Sequence, residues 1–72
     1  MSKFGIHQVV KYDKRPGLFV VIGLEEGITG IEYQIMVRNA FDNWEPEKPE
    51  TYPKDDTIIN GVLESELVGL GK

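Results

Sequence analysis

Apolar and polar positions alternate most clearly over Ile31-Glu32-Tyr33-Gln34-Ile35-Met36-Val37-Arg38. Ile31, Tyr33, Ile35 and Val37 fall on one side of an extended chain, Glu32, Gln34 and Arg38 on the other, and Met36 alone breaks the pattern. A period of two predicts a strand with one face in a core and the other solvated or facing a ligand. The preceding run, Leu18-Phe19-Val20-Val21-Ile22-Gly23-Leu24, carries no polar side chain. It is too short for most helices and rich in β-branched residues, which predicts a strand covered on both faces. Gly23 near its end allows a bend or bulge. The connection Glu25 to Gly30 is short enough that the two strands are expected to form an antiparallel hairpin.

Upstream, His7-Gln8-Val9-Val10-Lys11-Tyr12 is rich in strand formers. Arg15-Pro16-Gly17-Leu18 follows, with proline and glycine where a type II turn needs a preset φ and then a positive one. Downstream of Asn39 the character changes. Asp42, Glu45, Glu47, Glu50, Asp55 and Asp56 face only Lys48 and Lys54, and Pro46, Pro49 and Pro53 exclude a stable helix or a central strand. Residues 43–54 therefore read as a long, partly polyproline-like loop within an insertion over about 39–57. Asn60-Gly61, between Thr57-Ile58-Ile59 and Val62-Leu63, predicts a tight hairpin; the other reading makes Gly61 a loop residue before one last strand. Glu64-Ser65-Glu66-Leu67 predicts a short helical turn, and Val68 a final edge strand.

The sum is an all-β fold: a small barrel of four to five antiparallel strands with a long acidic, proline-rich loop and a short terminal helical turn. At 72 residues the chain holds one domain, 1–72. Its apolar content of 40% with 28% charged residues is that of a globular protein. The absence of cysteine excludes a disulfide scaffold and thiol chemistry and points to a reducing cytoplasm. No apolar run approaches the length that spans a bilayer, and Met1-Ser2-Lys3-Phe4 leads into mixed polar sequence, so neither membrane association nor a secretory leader is expected.

Several short segments resemble the small SH3-like (Tudor/KOW-like) barrels of bacteria and their phages. These are Gly5-Ile6-His7-Gln8-Val9-Val10-Lys11-Tyr12, Arg15-Pro16-Gly17-Leu18-Phe19-Val20-Val21-Ile22-Gly23, Trp44, and Val62-x-Glu64-Ser65-Glu66-Leu67. The likeness covers most of the chain apart from the acidic loop. It implies a small barrel and a phage or prophage origin, and it carries over no catalytic residues.

Chemistry is sparse. His7 is the only histidine, and the serines are Ser2 and Ser65, so no catalytic nucleophile and base are expected. Glu25-Glu26 and Asp55-Asp56 lack the spacing of a calcium loop, and no metal or cofactor is expected. Gly23-x3-Gly27-x2-Gly30 lacks the dinucleotide spacing, and Gly69-x-Gly71-Lys72 lacks the helix that a phosphate loop requires. The distinctive feature is the acidic loop with its aromatic residues. Trp44, Tyr52 and Phe41 among carboxylates such as Glu45 and Glu47 can either fold back onto the barrel or present an anchor for a basic protein partner. That makes a non-enzymatic protein-binding module the leading expectation. A nucleic-acid surface built from Lys11, Lys14, Arg15, Arg38 and Tyr12 is the alternative, opposed by a net charge of −4. A homo-oligomeric building block whose strand edges pair between subunits is a third.

Overall fold

A computed structural model describes residues 3–70. Ser2, Gly71 and Lys72, named above among the serines and the glycine-lysine string, lie outside the described residues. The elements are β1 (Val9–Tyr12), β2 (Arg15–Gly27), β3 (Gly30–Val37), a short helix α1 (Arg38–Asn43), β4 (Ile58–Leu63) and β5 (Leu67–Gly69). Single 3-10 turns lie at Pro49–Thr51, Asp55–Thr57 and Glu64–Glu66. The strands form one antiparallel sheet in the order β4-β3-β2-β1-β5. The small all-β architecture is thus present, and the sheet is open: β4 and β5 are its two edges.

One face carries the core of Phe4, Val10, Phe19, Val21, Tyr33, Ile35, Val62 and Leu67, with Tyr12, Ile31, Val37 and Ile59 packed around it. The opposite face holds a second apolar row running straight across four strands. Val9 pairs with Val20, Val20 with Met36, and Met36 with Ile58. Val20 and Met36 are buried there. This row explains why Met36 breaks the alternation of β3 and why Phe19, Val20 and Val21 are all apolar: the middle of the sheet is covered on both sides.

Three expected features differ in detail, each at a glycine. The first hairpin turns at Asp13-Lys14, where Tyr12 pairs with Arg15, and not at Pro16-Gly17. Pro16 and Gly17 are instead an irregularity in β2 between Arg15 and Leu18, with Gly17 at φ +99°. Asn60-Gly61 is likewise a bulge inside β4 and neither a hairpin turn nor a loop, since Tyr33 pairs with Val62 but Ile35 already with Ile59. Gly61 takes φ +67°. A bulge and a turn make the same demand for a glycine with positive φ, so local chemistry does not separate them. The connection Glu25 to Gly30 shrinks to a two-residue turn, because β2 and β3 stay paired out to Gly27 and Gly30.

The expected bulge near Gly23 is present: Val21 pairs with Ile35 and Gly23 with Gln34, leaving Ile22 as the extra residue. The first strand begins at Val9, not His7. Residues 5–8 form a turn in which the Gln8 N–H donates to the Gly5 carbonyl at 3.2 Å, and His7 takes φ +72°. Helix α1 has no counterpart in the sequence pattern. It follows β3 directly, before the first loop proline, and lies against β2 and β3.

Candidate functional site

The acidic loop organises itself through its own short-range bonds. The Thr51 hydroxyl accepts from the Glu45 N–H at 2.8 Å and lies within hydrogen-bond distance of the Glu45 and Lys48 carbonyls, at 3.0 and 2.8 Å. The Tyr52 hydroxyl donates to the Pro46 carbonyl at 2.7 Å. Pro49 opens the 3-10 turn over residues 49–51, a position that needs no N–H. A loop of this composition would otherwise pay a large ordering entropy, and these bonds fix residues 45–46 beside 51–52.

The aromatic residues divide. Phe41 on α1 is half-buried and stacks at a tilt on His7, with ring centroids 5.3 Å apart. Trp44 remains 37% exposed and Tyr52 53% exposed. Neither ring is folded into the core. Glu45 makes an exposed ion pair with Lys48 at 3.3 Å, and Glu47 is exposed. Trp44, Tyr52, Glu45 and Glu47 thus share one braced, solvent-facing segment, while Phe41 anchors the helix at its base.

The cations behave differently. Lys14 sits in the β1–β2 turn, with its ammonium 2.7 Å from a Glu66 carboxylate oxygen. That hydrogen-bonded contact holds Glu66 below the usual carboxylate range and raises Lys14. Arg38 pairs with Asp42 one turn along α1 at 3.5 Å. Arg15 donates to the Asp56 carbonyl at 3.3 Å and lies over the Phe19 ring. Tyr12 meets Phe19 edge-on, with centroids 5.9 Å apart, and packs against the core. Arg15 and Arg38 do line one shallow groove, floored by Leu18, Phe19 and Val37. Lys11 is exposed and forms no ion pair among the described residues.

The two glutamates of the Glu64-Ser65-Glu66 turn are structural clamps. Glu66 also accepts from the Leu63 N–H at 3.0 Å, and its carbonyl accepts from the Asp13 N–H at 3.0 Å. Glu64 accepts from the Tyr33 hydroxyl at 2.6 Å and from the Lys3 N–H at 2.7 Å. The tyrosine bond draws Glu64 below the usual carboxylate range, and burial, then Glu64, pushes the Tyr33 hydroxyl up.

A further feature lies on the polar face of β3. Bulges in β2 and β4 both fall opposite Gln34, whose amide donates to Asn60. A cavity of about 150 Å³ is lined there by Gly23, Glu25, Glu32, Gln34, Asn60 and Gly61, among others. The alternation of β3 placed Glu32 and Gln34 on this face, but the cavity depends on two bulges that pair distant segments. No protein-family model, curated protein or solved structure matches the chain.

Proposed function

We propose that this protein is a non-enzymatic interaction module that captures a basic protein partner through its acidic-aromatic loop. The observation that carries the reading is the exposure of Trp44 and Tyr52 on a loop braced by Thr51 and by the Tyr52–Pro46 bond. Rigid aromatic anchors lose little conformational entropy on binding, and they dominate interface energetics. Glu45, Glu47 and Glu50 around them attract a cationic surface and repel nucleic acid.

We read the architecture as SH3-like: a meander from β1 to β4, one helical turn at Glu64–Glu66, and a last strand returning beside β1 support that assignment. With it goes a phage or prophage setting, in which a small acidic protein redirects a basic host factor. The absence of cysteine supports a reducing, cytoplasmic location. The nucleic-acid alternative has the Arg15/Arg38 groove in its favour, but Lys14 and Arg38 already face carboxylates. The open edges β4 and β5 favour the homo-oligomer alternative.

The test is affinity capture from bacterial lysate, with and without nuclease, by the wild type and a Trp44→Ala/Tyr52→Ala variant. One basic protein retained after nuclease and lost with the variant is the expected result. Equal capture by the variant refutes the site.

A further inference from the structure

The β2–β3 hairpin runs beyond the rest of the sheet. On its β1 side, β2 is paired only as far as Val21, through the Val9–Val20 pair and backbone bonds linking Val21 to His7 and Gln8. Past Val21, β2 continues in strand conformation to Gly27 with no neighbour on that side among the described residues. Extended backbone with free N–H and C=O groups is a template for an added strand. Natural proteins blunt such edges with charges, lysine above all, with proline, β-bulges or a covering element. Residues 22–27 hold no lysine or proline, and beyond the bulge at Ile22 the charges there, Glu25 and Glu26, repel an anionic strand and admit a cationic one.

The side chains there select the occupant. Glu25 pairs directly opposite Glu32, a like-charge arrangement that opposes hairpin formation. Glu25, Glu26 and Glu32 have no ion pair among the described residues, and no lysine or arginine lies between residues 16 and 37. Glu25 and Glu32 share a face with Gly23 and Gln34, and that face holds the 150 Å³ cavity. Gly23 has no side chain of its own, and the Gln34 side chain lies over it, its Oε1 3.2 Å from where a Cβ would stand. A long side chain on an added strand beside Gly23 therefore meets the Gln34 amide first and can reach along the arm to the Glu25 and Glu32 carboxylates. The exposed Leu24 and Ile28 offer apolar contact on the same arm.

We infer that the free edge of β2 from Ile22 to Gly27 accepts an extended, lysine- or arginine-bearing peptide segment as an added antiparallel or parallel strand. A second copy of the chain is the wrong occupant, because it would set the same three glutamates against each other. The surface is separate from Trp44 and Tyr52, so it stands or falls independently of the proposed loop site.

The test uses the whole protein labelled with nitrogen-15 and a capped peptide of alternating lysine and valine. The expected result is saturable shifts and slowed hydrogen exchange at the amides of Ile22 to Gly27. The glutamate–valine counterpart produces none. Glu25→Gln/Glu26→Gln weakens the lysine peptide about tenfold, as loss of charge complementarity requires, while Trp44→Ala/Tyr52→Ala leaves it unchanged. Equal binding by a peptide N-methylated at alternate residues, which cannot complete the ladder, overturns the strand-addition claim. So do shifts confined to other residues, no shifts at all, or concentration-dependent shifts at Ile22 to Gly27 without peptide, which would make the occupant a second copy.

Discussion

The Tyr33 hydroxyl donates a 2.6 Å hydrogen bond to the Glu64 carboxylate across a sequence separation of 31 residues. The same oxygen accepts from the Lys3 and Phe4 N–H groups at 3.1 and 3.2 Å. Glu64 in turn accepts from Lys3. One phenol therefore ties the amino-terminal segment, the middle of β3 and the turn before β5. In a domain this small, where core burial leaves a narrow margin, such a latch decides whether Lys3-Phe4 and the Glu64–Glu66 turn stay docked on β3.

Tyr33→Phe removes the donor to Glu64 and leaves the Phe4 N–H without its acceptor. The expected loss is about 1–3 kcal/mol of unfolding free energy, the range for stranding a buried polar group. Glu64→Gln loses less, because an amide oxygen still accepts. The double variant is expected to be less than additive in urea denaturation. Full additivity would mean the two groups do not share a network.

Acid weakens the same device. Glu64 and Glu66 are held below the ordinary value of 4.5 by Tyr33 and Lys14 respectively. A carboxyl with a depressed folded-state pKa stabilises above its unfolded value, and that contribution disappears as pH falls through the folded one. Tyr33 and Lys14 are raised above 10.0 and 10.5, so their contribution is present below those values and is lost as pH rises through the folded ones. Urea midpoints are expected to be level near neutrality, to fall below about pH 4.5 and to fall again above about pH 10. Glu64→Gln flattens the acid limb, and an unchanged acid limb in that variant refutes the assignment.

The like-charge pair on the hairpin arm makes the opposite prediction. Glu25→Lys turns the Glu25–Glu32 contact into an attractive cross-strand pair and is expected to raise stability by about 0.5–1 kcal/mol. The gain shrinks in high salt. Destabilisation at low ionic strength would contradict the register.

The row on the second face is tested by Met36→Ala. Met36 is 1% exposed and sits between Val20 and Ile58. Its truncation is expected to destabilise by about 2–4 kcal/mol. A loss under about 1 kcal/mol would mean that this face is solvated.

Period-two patterning carried β3 almost residue by residue, and the apolar run carried the centre of β2. What hid was non-local. Arg15-Pro16-Gly17 and Asn60-Gly61 advertise positive φ, but only the partner strand decides whether that serves a turn or a bulge. Helix α1 is six residues with no side-chain cap and no acidic first turn, so no local signal marks it. For the candidate site, the loop's composition drew attention to Trp44 and Tyr52 directly. The neutralisation of Lys14 by Glu66, more than fifty residues away, was illegible, as was the cavity that two bulges open beside Gln34.

Trp44 is the sole tryptophan of this chain, so once the partner's own emission is subtracted the signal reports on the proposed anchor. The decisive measurement is Trp44 fluorescence during titration with the captured basic protein, using acrylamide to probe exposure. The account predicts a blue shift, loss of quenching at saturation, and about tenfold weaker binding for Tyr52→Ala, as truncation of a hot-spot ring requires. A saturated complex in which Trp44 keeps its emission and its quenching would contradict it.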